Sequence, residues 1–412
     1  MFDDVIHDLR REPRPVEPLD RRRWLLTFAP IACAVAIGCG DSTAPRRARP
    51  NTIVDISPRI AGAFASLGAV QAFRATVTDT LGDTLTEAVT WRASNTAGST
   101  AISVTSDGTV TVAPSATPGD YALVAAAGGA ADTATVRVLP APTGKLIFSA
   151  RVGSDGQIFV KDFAVAGDAA QITAGSGSVA GIAVDQKSGI IFFSQGAIPV
   201  VDIYRVAASG AGLVNLTNDA AASNQGPAVD PVTGDVYFSR KGLSGTTTQI
   251  FRMAPDGSAL TQVTTTDQGK IQPAVSPDGS SLAWSETFQP GSNLEVMTAA
   301  IDGSNPLRLT NRVGVDGATF WFSNTRLLWS FFAPGTPSDI FSADLSNPGT
   351  LVNLTNGAGQ SSSPSGGCAA NTVTILRTTT APGVYQLDLA TGLAVPYTLP
   401  VSRSISFARR LC

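Results

Sequence analysis

The stretch QPAVSPDGSSLAWS at residues 272–285 decides the fold of most of the chain. Short apolar runs flank the turn sequence Ser276–Gly279, a pattern typical of two antiparallel strands joined by a tight turn. Similar stretches are GIAVDQKSGIIFFS from Gly181, GPAVDPVTGDVYFS from Gly226 and GATFWFSNTRLLWS from Gly317. The unit is therefore a strand pair that repeats along the chain.

A hydrophobic residue followed by threonine recurs at a nearly constant spacing beside these strand pairs. The pairs begin at Ile172, Leu216, Val263, Leu309, Leu354 and, in degenerate form, Tyr397, so the steps are 43 to 47 residues. A third strand in each unit, such as DIYRVA from Asp202, leaves no room for a helix. This spacing and strand content predict an all-β, six-bladed propeller over residues 145–412.

The two ends of this region predict how the ring closes. KLIFSA from Lys145 begins the region as a second strand, whereas SRSISFARRLC ends it as an unpaired first strand. We expect the C-terminal strand, roughly Ser404 to Arg409, to complete blade one and hide the free sheet edges.

Residues 51–140 predict a separate β-sandwich, because about seven short alternating runs are separated by turns. Asp107 and Gly108 are typical of a hairpin turn, and Trp91 is expected to be a large core residue.

The order of AVTWRASN, ISVTSDGTVTV and DYALVAAAGG resembles bacterial Ig-like group 2 domains, although SNTAGSTAISV is longer than their usual link. The resemblance implies a stalk or adhesion module. We assign it no binding site, and direct ligand binding is the alternative.

The propeller units also carry a resemblance. SPDGSSLAWS and DGSNPLRLT are similar to repeats of TolB-like, WD40-like periplasmic propellers, from residue 145 to about 409. That resemblance implies binding of a protein or peptide on a propeller face. Blade six departs from the pattern at PSGGCAANTVTIL from Pro364, so a partner surface there is not implied.

The N-terminal segment predicts export. Arg21–Arg23 precede the apolar run at residues 24–38, which has the length of a signal peptide core. Its end, AIGC, resembles a lipobox, and this predicts a signal peptide at 1–38, lipidation of Cys39 and a flexible linker at 39–50. An ordinary signal peptide that contains a cysteine is the alternative.

The expected location is the cell envelope. The resemblance to lipoprotein sorting signals, in which an aspartate directly after the cysteine retains the protein in the inner membrane, implies the outer membrane for a chain with Gly40 there. The protein would lie on its periplasmic or surface side, with the lipid as its membrane contact. Arg22 and Arg23 with the following Trp-Leu-Leu also resemble a twin-arginine signal, so Sec and twin-arginine export both stay open.

Two cysteines would stay in the propeller after processing. Aligned on the repeat units, Cys368 lies in the turn between the first two strands of blade six, and Cys412 lies just after the first strand of blade one. These blades are neighbours and the compartment is oxidising, so we predict a disulfide, with two free thiols as the alternative.

Composition argues against several functions. The only histidine, His7, precedes the predicted cleavage point, so the exported protein would lack an imidazole base and the commonest zinc ligand. No GxSxG nucleophile motif and no cofactor motif occurs, and we expect neither catalysis nor a cofactor. The net charge is −3 with no basic stripe, which argues against nucleic acid as a partner.

Two groups of residues are candidates for ligand contact. Turn aspartates could bind calcium, but single aspartates in such turns usually cap their own backbone, so no metal is predicted. These aspartates are Asp185, Asp230, Asp256, Asp278 and Asp302. The aromatic stretch from Phe320 to Phe332 mostly predicts core packing, whereas Phe331 and Phe332 enter a loop and are a candidate contact surface.

The predicted function is that of a non-enzymatic envelope lipoprotein whose propeller binds a protein or peptide, with the Ig-like domain as its stalk. The alternative is a lipoprotein that binds a surface polysaccharide or the cell wall. A hydrolase or lyase that uses carboxylates alone would require two of them converging in the central channel.

Overall fold

A computed structural model describes residues 52–67, 70–94, 100–245, 247–289, 293–347, 350–378, 381–397, 399 and 405–412. These residues form strands, turns and a single 3-10 turn at Ala65–Leu67, so the fold is all-β as predicted. No helix within the described ranges is long and apolar enough to cross a membrane. The predicted signal peptide and Cys39 lie outside the described residues.

The first domain has nine strands rather than about seven, because short strands form additional pairs. They are β1 (Ile53–Ser57), β2 (Ile60–Phe64), β3 (Val70–Ala72), β4 (Arg74–Thr78), β5 (Thr90–Ser94), β6 (Ile102–Val104), β7 (Thr109–Val112), β8 (Gly119–Ala127) and β9 (Ala130–Leu139). A sheet of order β2-β9-β8-β5 and a sheet of order β3-β7-β6 share one apolar core, and β1 pairs with β4. Gly108 makes the β6–β7 turn at φ 84°, and Trp91 is half-buried against the core.

The remaining strands form six four-stranded blades. From the innermost strand outward, blade one is β33 (Ile405–Leu411), β10 (Lys145–Val152), β11 (Asp155–Asp162) and β12 (Ala170–Gln171). Blade two is β13 (Ser178–Val184), β14 (Ile190–Ala197), β15 (Val200–Ala207) and β16 (Val214–Asn215), and blade three is β17 (Ala222–Val229), β18 (Val236–Gly242), β19 (Gln249–Met253) and β20 (Thr261–Gln262). Blade four is β21 (Lys270–Val275), β22 (Ser281–Gln289), β23 (Asn293–Ala300) and β24 (Leu307–Arg308). Blade five is β25 (Val315–Trp321), β26 (Arg326–Phe332), β27 (Asp339–Asp344) and β28 (Leu351–Asn353), and blade six is β29 (Ser361–Gly366), β30 (Thr372–Arg377), β31 (Gly383–Asp388) and β32 (Ala394–Pro396).

The C-terminal strand closes the ring. Strand β33 pairs antiparallel with β10, which places Leu411 opposite Lys145. Cys368 follows β29, and its Sγ lies 2.14 Å from Sγ of Cys412, with 5.4 Å between the two Cα atoms. This contact joins the blade-six turn to the end of the closing strand.

The recurring threonines of blades one to five are explained by a pair of hydrogen bonds inside each of these blades. The Thr310 hydroxyl accepts from the Val296 main-chain N–H at 2.9 Å and donates to the Glu295 carboxylate at 2.6 Å. The same arrangement holds Thr173 with Gln157, Thr217 with Asp202, Thr264 with Gln249 and Thr355 with Asp339. The threonine thus fixes the fourth strand to the start of the third.

We expect Thr310→Val to lower the free energy of unfolding by about 2–3 kcal/mol, because it leaves a buried N–H without its acceptor and removes a donor from a buried carboxylate. Thr264→Val should cost less, about 1–2 kcal/mol, since its acceptor Gln249 is neutral. Urea unfolding of both variants beside the exposed control Thr261→Val measures this order. A Thr310→Val loss no larger than that of the control would contradict the role of the hydroxyl.

The inner strands bend at matching positions and are tied to the preceding blade. The hydroxyls of Ser239 and Ser330 accept from the main-chain N–H of Gln272 at 3.1 Å and of Ser363 at 2.9 Å, in the next blade. Gln272 and Ser363 have φ of 56° and 53°, each at a shift in strand register. The serine that ends the repeated sequence motif, inside the second strand, is therefore a link between blades.

The first domain packs directly on the propeller. Phe64 at the end of β2 stacks on Tyr397 of blade six with ring centroids 5.2 Å apart, and Tyr397 also contacts Phe163 of blade one at 5.6 Å. A Cβ at Gly62 would lie 2.4 Å from the Val395 side chain, so the two surfaces are in close contact there. The first domain and the propeller consequently share a small apolar core.

Candidate binding face

The loops of each blade divide between two ends of the propeller. Antiparallel pairing puts the start of each inner strand beside the end of the second strand, as Val315 opposite Phe332 and Ser178 opposite Gly196 show. The loops that join second to third strands, and each blade to the next, therefore lie on one end. We call this end the loop face and the opposite end, with the aspartate turns, the turn face.

The turn-face aspartates cap their own turns. Asp230 accepts from the Val232 N–H at 2.8 Å and Asp278 from the Ser280 N–H at 3.0 Å. Asp185, Asp256 and Asp302 make the equivalent bond. Hydrogen bonds from the Ser276 side chain and from Ser280 lower the pKa of Asp278. These contacts give the repeated aspartates a structural role.

Four large apolar side chains are exposed on the loop face of blades two to five. Val313 is 85% exposed and Phe332 36%, and both belong to blade five or its connection from blade four. The others are Ile198 and Leu243. Exposed apolar residues elsewhere on the propeller include Leu260, just before the fourth strand β20, and Leu307, in the fourth strand β24. Large exposed apolar side chains like Val313 and Phe332 do not recur at the equivalent positions that the structure describes in the other blades.

Arg312 fixes the loop beneath Val313. Its guanidinium lies 3.6 Å from the ring centroid of Phe331 and 4.0 Å from that of Phe341. It also pairs with the carboxylate of Asp316 at 2.5 Å, and Trp329 Nε1 donates to the same carboxylate at 2.7 Å. Asp316 is fully buried, and this burial raises the pKa of Asp316 despite the opposing effect of Arg312.

A second buried carboxylate holds the same loop from blade four. Glu295 is fully buried, accepts from Arg308 at 2.9 Å and accepts from the Arg312 main-chain N–H at 3.1 Å. Arg308 in turn lies over the Phe288 ring, 4.0 Å from its centroid. The loop of residues 311–314 is therefore anchored on both sides, and it holds Val313 on a fixed backbone.

The aromatic residues of blade five lie in different environments, some buried between blades and others at the loop face. Trp329 and Trp321 are buried between blades, as core packing predicts. Phe331 is half-buried and its ring packs edge-on against that of Phe341, with 5.5 Å between the ring centroids. Phe332 is exposed. Of the two candidate contact residues, Phe332 is thus on the surface and Phe331 supports Arg312. Sequence reasoning did not single out Val313, because one valine in a loop carries no distinctive pattern.

The buried carboxylates near the inner strands have structural partners. Asp316 is paired with Arg312 and Glu295 with Arg308, and neither is exposed. Within the described part of the chain, no group of three or more His, Cys, Asp or Glu side chains is arranged to hold a metal ion. The buried carboxylates Asp316 and Glu295 thus hold the loop of residues 311–314 in place.

Comparisons with known proteins show the fold. No family model and no curated protein matches the sequence. TolB from Acinetobacter baumannii is similar with a TM-score of 0.54 and 11% identity, covering 80% of this chain and 84% of that chain. A chain of a nidogen/laminin complex has a TM-score of 0.54 and 16% identity, covering 65% of this chain and 99% of that one. Hydrazine synthase from Kuenenia stuttgartiensis has a TM-score of 0.53 and 13% identity, covering 66% of this chain and 47% of that one. At these identities the likenesses show a β-propeller fold.

Proposed function

We propose that this protein is a non-enzymatic envelope lipoprotein whose propeller binds a protein or peptide through its loop face. The observation that carries the proposal is Val313, which is 85% exposed on a loop held by two buried carboxylates, Asp316 through the Arg312 side chain and Glu295 through the Arg312 main-chain N–H. An exposed apolar side chain on a rigid backbone contributes contact area with little loss of conformational entropy on binding. Phe332 beside it adds the aromatic contact common at protein interfaces.

The envelope location is part of the same proposal. The lipobox-like AIGC sequence supports anchoring at Cys39, and the closeness of Cys368 and Cys412 suits an oxidising compartment. The first domain would then be a stalk that packs on blades six and one and holds the propeller away from the membrane.

Protein is a better candidate than polysaccharide. Sugar-binding surfaces stack their ligands on exposed aromatic rings. Phe332, at 36%, is the one aromatic side chain among the large exposed apolar residues of the described ranges. The other exposed apolar residues of the loop face are aliphatic, which suits a protein surface.

We expect the double variant V313S/F332S to capture its envelope partner at least tenfold less strongly, because it removes the central apolar contacts. The test is a saturable pull-down from envelope extract with the chain from residue 40 onward, quantified by mass spectrometry. The matched control L260S/L307S removes two exposed leucines outside the loop face. Equal capture by both variants, or binding to purified cell wall without a protein partner, would contradict the proposal.

A further inference from the structure

Several cations of the propeller have a carboxylate partner, among them Lys145 of blade one, whose Nζ lies 3.2 Å from Asp162. In blades three to five, the ion pairs are Arg240–Asp219, Arg252–Asp235, Lys270–Glu286, Arg308–Glu295 and Arg312–Asp316. The closing strand β33 carries Arg409 and Arg410, and the described residues place no carboxylate within 4.0 Å of either guanidinium. An ion pair with a carboxylate of the described residues therefore does not account for the charges of these two arginines.

Arg410 has a structural role. Its guanidinium lies 4.7 Å from the ring centroid of Phe163 and 5.1 Å from that of Tyr397. It donates to the Thr143 carbonyl and, through Nε, to Cys368 Sγ at 3.3 Å. Arg410 thus connects the closing strand to the disulfide and to the joint with the first domain.

Arg409 has no comparable set of partners among the described residues. Its Nη1 donates at 2.8 Å to the Ala408 carbonyl, its own chain neighbour, and no ring or carboxylate contact accompanies that bond. Burial lowers the pKa of Arg409 to about 10, so the guanidinium is still charged at pH 7. A half-buried charge without a counter-ion is costly, and a bound anion would offset that cost.

The position of Arg409 breaks the blade repeat. It lies opposite Ile147, and the inner-strand residues at the matching position of blades two to four are Ala183, Ala228 and Ala274. Blades five and six have Phe320 and Ser365 there. Strand β33 is the innermost strand of blade one, and inner strands line the central channel of a propeller. From this position and its partial exposure we infer that the accessible part of Arg409 faces that channel.

We propose that Arg409 binds a carboxylate of the peptide partner inside the propeller channel, an assignment that rests on the proposed function. Guanidinium and carboxylate groups form two parallel hydrogen bonds, a geometry that selects this anion. The carboxylate belongs to an acidic side chain or to a chain terminus, while the loop face holds the apolar part of the same partner.

The test is calorimetric titration of the chain from residue 40 onward with capped tetraglutamate, capped tetraglutamine and succinate at low salt. We expect tetraglutamate to bind at least tenfold more tightly than tetraglutamine. Arg409→Met should weaken tetraglutamate binding at least tenfold and Arg409→Lys severalfold, because lysine keeps the charge but not the paired hydrogen bonds. Arg151→Met removes an exposed arginine from the same blade and should change nothing.

Wild-type affinity in Arg409→Met, or no tetraglutamate binding by the native chain, would overturn the proposal. Succinate binding as tight as tetraglutamate would overturn the assignment to a peptide. If Arg409→Met does not fold, the Arg409→Lys titration decides, and native affinity there would count against the site. Because V313S/F332S leaves Arg409 intact, it should still bind tetraglutamate, so failure of the loop-face proposal is distinguishable from failure of this one.

Discussion

Arg312→Met is expected to lower the free energy of unfolding of the propeller by about 3–5 kcal/mol near pH 7, the usual cost of leaving a buried charge without its partner. Asp316 is fully buried and Arg312 is its ion-pair partner, at 2.5 Å. Methionine keeps much of the packing between Phe331 and Phe341, so the loss comes mainly from the charge. Urea unfolding followed by tryptophan fluorescence measures it, because Trp284, Trp321 and Trp329 are buried in the propeller.

The same variant has a predictable pH dependence. The folded-state pKa of Asp316 is raised, so this group favours folding less as pH rises from its unfolded pKa to its folded pKa. Without Arg312 the folded-state pKa of Asp316 rises further, because the guanidinium no longer opposes the effect of burial. The pH range between the unfolded and folded pKa of Asp316 becomes wider, and the loss of folding free energy above that range becomes larger. The deficit of Arg312→Met should therefore shrink on acidification, as Asp316 becomes protonated. Arg151→Met, which removes an exposed arginine of blade one, is the control. A deficit that is constant or grows at acid pH would contradict this account.

Removing the disulfide in C368S/C412S is expected to cost about 2–5 kcal/mol, since the crosslink closes a long loop. The two residues are 44 positions apart, and the bond holds the end of β33 to blade six at the ring closure. The native chain treated with a reductant should lose the same stability, whereas the reductant should not affect the double variant. An unfolding midpoint that does not respond to the reductant would show that the bond contributes nothing to closure.

The sequence predicted the propeller because its repeat is local and periodic. Strand pairs, turns and the threonine of each unit recur at blade spacing, and the structure has the six blades expected from them. The reason for the threonine could not be predicted in the same way. The bond from Thr310 to Glu295 joins residues that meet only when the third and fourth strands are paired.

The candidate contact surface was harder to predict, since aromatic density was the only signal used. That signal identified Phe331 and Phe332, but Phe331 proved to be a support for Arg312. Val313 was missed because a single valine in a loop has no distinctive pattern. The packing of Phe64 on Tyr397 was also missed, because contacts between domains depend on side chains more than 300 residues apart.

The most direct test of the proposed function is site-specific photocrosslinking in intact cells that produce the chain. A photoreactive amino acid is placed at Val313 on the loop face and, separately, at Leu307 outside it. The account predicts a defined protein adduct from position 313 and none of comparable yield from position 307. No protein adduct at 313, or equal adducts at both positions, would contradict binding of a protein partner through the loop face.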